Sequence, residues 1–203
     1  MEDAIEVFKF WTEDGFMIPK VCSLRKGGRV IDSLNMIPSW IRNLIKINGN
    51  SISECDFECL HPNEAATIYG GSYKYLTHKM IATALGIDDL DAKIENLSYF
   101  NMEYWQMKDS PLHPFYLGNE PIMIGRIIRE KCSDKNAYKE TSRKMLNLEV
   151  EIMTNVISEL NKEGIEPIYI FDALSCESQH TERVIELMNR EALKLGVYSM
   201  AKN

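Results

Sequence analysis

Two stretches of this sequence read as buried strands that carry an aspartate where an apolar side chain belongs. No other feature limits the fold as much. In Ile165-Glu166-Pro167-Ile168-Tyr169-Ile170-Phe171-Asp172-Ala173-Leu174-Ser175-Cys176-Glu177 the middle is a continuous β-branched and aromatic run, bounded by Gly164 and by polar residues. That is the pattern of a strand covered on both faces. A carboxylate at the end of such a strand is costly unless it is paired or holds a metal. Ser51-Ile52-Ser53-Glu54-Cys55-Asp56-Phe57-Glu58-Cys59-Leu60-His61-Pro62 has the same shape. The expectation is that two strands far apart in sequence bring Asp56 and Asp172 together.

At 203 residues the chain reads as one domain, a size at which about 70% of the unfolded surface can be buried. The acidic start, Met1 to Glu6, does not read as a signal peptide, and no apolar run is long enough to cross a membrane. A soluble, cytoplasmic protein with no membrane partner is expected. The net charge of −7 argues against nonspecific nucleic-acid binding, which rests on phosphate neutralisation, while leaving room for a local basic groove. Five cysteines without a CxxC pair read as free thiols rather than a zinc site.

Residues 1–26 are weakly patterned, with a hairpin signal at Asp14-Gly15. Gly27-Gly28-Arg29-Val30 reads as a turn into a short strand, and residues 37–46 as a short helix stopped by Asn48-Gly49-Asn50. Helices are expected over 64–69, over 73–85 and, capped by Asp88-Asp89, over a segment on which Leu90, Ile94 and Leu97 share a face. Tyr99, Phe100 and Trp105 form an aromatic patch, and residues 109–114 read as a loop. Pro121 opens another helix. The longest helix is expected over 141–163, the last from Thr181, with a final strand over 197–200.

Two carboxylates on adjacent strands can hold Mg²⁺ (or Mn²⁺), which takes one or two protein carboxylates and fills its shell with water and phosphate. Two such ions can activate an attacking oxygen and steady a leaving pyrophosphate. Glu54, Glu58 and Glu177 are spare carboxylates on the same stretches.

The run from Ile41-Arg42-Asn43-Leu44 through Asn48-Gly49 to Asp56-Phe57-Glu58-Cys59-Leu60-His61-Pro62 resembles motif A of the family A DNA polymerases. The Leu-His-Pro variant resembles polymerase-like replication proteins of phages and mobile elements. Ile168 to Glu177 resembles motif C, with the helix carrying Glu149 in the expected place before it. The resemblance covers roughly residues 27–203 and implies that Asp56 and Asp172 are the catalytic, metal-holding aspartates of a palm. It further implies that Lys93, within Asp91-Ala92-Lys93-Ile94-Glu95-Asn96-Leu97-Ser98-Tyr99-Phe100-Asn101, is the lysine of motif B that meets a triphosphate. Lys79, beside His78, is the second choice. Arg42, His61, Tyr99 and Asn101 complete the expected substrate-binding set, Tyr99 as a stacking platform for a base.

Four positions depart from the family pattern. His61 stands where the DNA polymerases have a glutamate that screens the ribose 2′ position, so sugar choice is open. Phe171 replaces the histidine before the motif C aspartate, Ala173 follows it, and Asp89 replaces an arginine of motif B. The expected fold is α+β: an antiparallel palm-like sheet packed by helices, with an abbreviated helical fingers region and no thumb. Residues 1–62 and 141–203 would form the palm and residues 63–140 a fingers-like insertion, all in one compact unit. The implied activity is template-dependent nucleotidyl transfer in DNA replication, with a nucleoside triphosphate and a primer-template as partners and a protein subunit supplying the thumb. The alternative is an inactive palm that binds or scaffolds within a replication assembly.

Overall fold

The computed structural model describes residues 5–7, 9–10, 19–23, 27–73 and 75–203; the hairpin expected at Asp14-Gly15 lies outside them. After helical residues at 5–7 and 9–10 comes a small hairpin, β1 (Lys20–Val21) with β2 (Val30–Ile31), followed by short helices α1 (Ser33–Met36) and α2 (Ser39–Arg42). Strand β3 (Lys46–Ile47) turns at Asn48-Gly49 into β4 (Asn50–Glu58). Both turn residues have positive φ, 52° and 82°, as an Asn-Gly hairpin turn requires.

Helices α3 (Leu60–Tyr69), α4 (His78–Leu85), α5 (Asp89–Tyr99), α6 (Tyr104–Met107), α7 (His113–Asn119), α8 (Pro121–Lys131) and the long α9 (Glu140–Lys162) follow. The chain returns to the sheet through β5 (Ile168–Ile170) and β6 (Ala173–Glu177), crosses it with α10 (Thr181–Lys194) and ends in β7 (Met200–Lys202). The five-stranded sheet is antiparallel throughout, ordered β3-β4-β6-β5, with β7 pairing the far end of β4. Among the described residues no helix is long and apolar enough to cross a membrane.

Alternation along β4 decides where Asp56 points. Cys55 and Phe57 are buried, in one core with Leu174 and Cys176 of β6, Ile152, Met153 and Val156 of α9, and Val184, Leu187 and Met188 of α10. Side chains one position away must face the other side, which puts Glu54, Asp56 and Glu58 on the opposite face. A second core gathers Tyr99, Phe100 and Tyr116 with Ile81, Met123, Ile124, Ile127 and Met145. Helix α9 contributes to both cores, so it runs beneath the space between them.

The structure redraws several expected elements: residues 37–46 hold only the short helix Ser39–Arg42 before β3 begins at Lys46, the helix expected over 73–85 starts at His78, and the last strand is Met200–Lys202 rather than 197–200. Residues 168–177 are not one strand: Ile170 pairs directly with Ala173, so Phe171-Asp172 is a two-residue hairpin turn. The apolar run hides this turn because its first position, which normally takes glycine, is a phenylalanine with φ 59°. Helix α3 starts at Leu60 rather than Glu64, since Pro62 falls in a first turn where its missing N–H costs nothing. Residues 113–119 are helical, opened by Pro114. Leu90, Ile94 and Leu97 share a face as expected, and that face is exposed, at 61%, 53% and 60%.

Candidate active site

A cleft of about 730 Å³ opens between the two cores, and Asp56 and Asp172 both line it. Asp56 is paired across the ladder with Ala173, the residue after Asp172, so the β5–β6 turn hangs beside Asp56. One oxygen of Asp56, Oδ1, is buried without a hydrogen-bond partner. Burial, then the neighbouring Asp172 charge, pushes the Asp56 carboxyl up to about 7, against a lowering pull from Lys93. Burial, then the charge of Glu149, raises Asp172 as well, with His61 and Arg29 acting against it.

Behind the pair lies a buried polar cluster. Glu149 of α9 has no exposed side-chain surface. It accepts two hydrogen bonds from Arg29, Nε at 2.7 Å and Nη2 at 2.5 Å, and one from His61 Nε2 at 3.3 Å. Burial pushes the Glu149 carboxyl up, but the bonds from His61 and Arg29 outweigh it and hold the group ionised, below its usual range. An ionised carboxylate only accepts, so His61 carries its proton on Nε2. Glu64 of α3 is fully buried with both oxygens unpartnered. Burial, then Glu149 and Asp172, keep it protonated well above the ordinary range.

The opposite wall carries two lysines and a histidine. Lys79 and His78 of α4 and Lys93 of α5 all line the cleft. His78 Nδ1 faces Asn96 Nδ2 at 3.3 Å and the Cys59 thiol at 3.6 Å. An amide NH₂ only donates, so Nδ1 accepts and the His78 proton sits on Nε2. Asn96, one helical turn beyond Lys93, also accepts from Tyr116 O–H at 2.7 Å, which ties the lysine-bearing helix to the core. Lys202 of β7, ladder partner of Asp56, lines the cleft too and reaches Glu58 at 3.4 Å.

Of the residues marked in the sequence, Asp56, Asp172, His61, Lys93 and Asn101 line this one cleft, as does Lys79. Two are placed elsewhere. Arg42 is fixed away from it by Glu54, at 2.9–3.1 Å, and by the Ile37 carbonyl. Tyr99 is fully buried, stacked on Tyr116 at 5.1 Å and bonded to His113, so its ring is out of reach of a base. Arg29, His78 and Lys202 were not marked as site residues. The first stood beside a glycine pair and the second beside Lys79, but the third had no local signal at all.

The donor set suits a hard divalent cation. Two carboxylates sit at the cleft floor, both held up by burial; the nearby cations Arg29 and Lys202 are paired to other acids, and Lys93 draws Asp56 down. Among the described residues no group of three or more His, Cys, Asp or Glu side chains is placed to hold a metal ion.

No protein-family model matches the chain, and no curated protein matches it. Among solved structures it is similar to the POL domain of Pol1 from M. smegmatis in complex with DNA primer-template and dNTP. The TM-score is 0.63 at 12% identity, over 98% of this chain and 50% of that one. The chain therefore has a polymerase-like fold, a curled antiparallel sheet packed by helices, and spans about half the length of that relative.

Proposed function

We propose that this protein is a nucleotidyltransferase of the polymerase type, adding a nucleoside monophosphate unit from a nucleoside triphosphate to the 3′-hydroxyl of a primer on a template. The observation that carries this reading is the convergence of Asp56 and Asp172, from strands far apart in sequence, on one cleft faced by Lys79, Lys93 and His78. The likeness in fold to a polymerase domain supports it.

Asp56 and Asp172 would hold the divalent ion, Mg²⁺ or Mn²⁺, which when bound supplies positive charge to the attacking and leaving oxygens. The chain's own residues then have separate tasks. Asp56 and Asp172 would keep that ion on the sheet side of the cleft. Lys93 and Lys79 offset charge on the triphosphate from the helical side, and His78 presents a neutral Nε2–H donor next to them. Glu149 and Arg29 are paired behind the site, and their charges act on Asp172 in opposite directions. His61 is held by Glu149 at the cleft wall, where a bulky side chain would meet the sugar of the incoming nucleotide.

Extension of a labelled primer by wild type and Asp172→Asn, with Mg²⁺ or Mn²⁺, tests the proposal. Product from the wild type and at least a hundredfold less from the variant is expected. Equal product from both would remove Asp172 from catalysis and leave a binding role for the fold.

A further inference from the structure

The turn that carries Asp172 is not self-supporting. Phe171 sits at φ 59°, where a Cβ is crowded and glycine is the usual choice. A two-residue turn offers no contacts of its own to hold an aromatic residue there. The contacts come from elsewhere. The Arg29 guanidinium lies over the Phe171 ring, 4.8 Å from its centroid, and Tyr169 packs edge-on at 6.4 Å.

Arg29 is itself fixed from a third element. Its paired hydrogen bonds to buried Glu149 hold the planar fork in one orientation, so the plate over Phe171 cannot swing away. The same segment grips the hairpin a second time, because Asn35 Nδ2 donates to the Tyr169 carbonyl at 3.1 Å. It also lies hard against α9: a Cβ added at Gly27 would come within 2.5 Å of Leu146.

We propose that Arg29 is a positioning residue for Asp172: anchored on Glu149, it pins Phe171 in its strained conformation and so fixes the direction of the neighbouring carboxylate. A polymerase-type site would thus be set partly by the segment preceding the sheet. The consequence for metal and substrate rests on the reading of Asp172 given above, whereas the clamp itself does not.

Arg29→Met alone would leave the buried Glu149 charge with only His61 as a partner and risks unfolding. The informative variants are therefore Arg29→Lys, which keeps the charge but loses the fork, and the double change Arg29→Met with Glu149→Met, which removes both charges. Three quantities are measured: melting temperature, hydrogen exchange across residues 168–173, and affinity for Mn²⁺ alone by electron paramagnetic resonance. Both variants should melt near wild type, exchange at least tenfold faster over 168–173 with β4–β6 protection retained, and bind Mn²⁺ about tenfold more weakly. Adding Phe171→Gly to the double variant should restore much of the affinity, since glycine holds the turn without a clamp; a purely structural role for Arg29 predicts no such rescue. Unchanged exchange over 168–173 in both folded variants overturns the proposal. If wild type binds no Mn²⁺, the metal reading fails, and the exchange data still decide the clamp.

Discussion

Glu64 should destabilise this protein, and its replacement should show by how much. The side chain has no exposed surface and neither oxygen has a partner. In mutational data an unsatisfied buried polar group of this kind costs about 1–3 kcal/mol. Glu64→Met, similar in length and apolar, removes that cost and is expected to raise stability by about the same amount. For a domain of this size the gain is about 2–4 °C in melting temperature per kcal/mol.

The pH dependence separates ionisation from packing. Burial, then Glu149 and Asp172, raise the folded carboxyl well above 4.5, so between the two values the folded state holds a proton that the unfolded state has released. Stability from this group is therefore fully present below the unfolded value and is lost as pH rises, by at most about 1.4 kcal/mol per unit. Glu64→Gln cannot ionise and lacks that loss. Urea denaturation at pH 5 and pH 8 should show the variant gaining on wild type at the higher pH. An unchanged gap between Glu64→Gln and wild type, or a Glu64→Met protein less stable than wild type, would refute the reasoning.

Two further outcomes follow from the site. At φ 59° the usual order of glycine and alanine should invert: Phe171→Gly should be more stable than Phe171→Ala by about 1 kcal/mol, measured by denaturant titration, and the opposite order would contradict the left-handed turn. Because the Asp172 charge helps hold Asp56 at about 7 and Lys93 opposes it, Asp172→Asn should move the Asp56 titration to lower pH and Lys93→Met to higher pH. Carboxyl-selective NMR reads both shifts, and a shift of the wrong sign in either would break the electrostatic account.

The sequence carried the pairing of the two aspartates because the signal was local: an acid after an apolar run, twice. Strand β4 was legible for the same reason, since alternation fixes both its inward and its cleft-facing side chains. The β5–β6 turn was not legible. Its phenylalanine reads as strand by propensity, and the contact over its ring comes from Arg29, which is held by Glu149 120 positions away. Tyr99 and Arg42 failed as site residues because motif spacing says nothing of burial or of a nearer partner. Glu64 looks like any polar residue on a helix until tertiary packing closes over it. Lys202 enters the cleft only through its register with β4, a fact with no trace in its neighbours.

The pairing of β4 with β6 also sets a timetable for the chain. Ser53 of β4 and Ser178, just past β6, bond to one another 125 positions apart, and the loop between them must close before β4 and β6 can pair. Contacts of such long range slow folding, although each doubling of the loop adds only about 0.6 kcal/mol to the closure. On a ribosome the helices of residues 60–162 can form as they emerge, while β4 waits with an open edge for residues synthesised much later. Until then Asp56 is an ordinary solvated carboxylate, titrating in the usual acidic range. The same acid thus passes from a free surface group to a half of the cleft floor only when residues 168–202 arrive, and its titration would time that arrival.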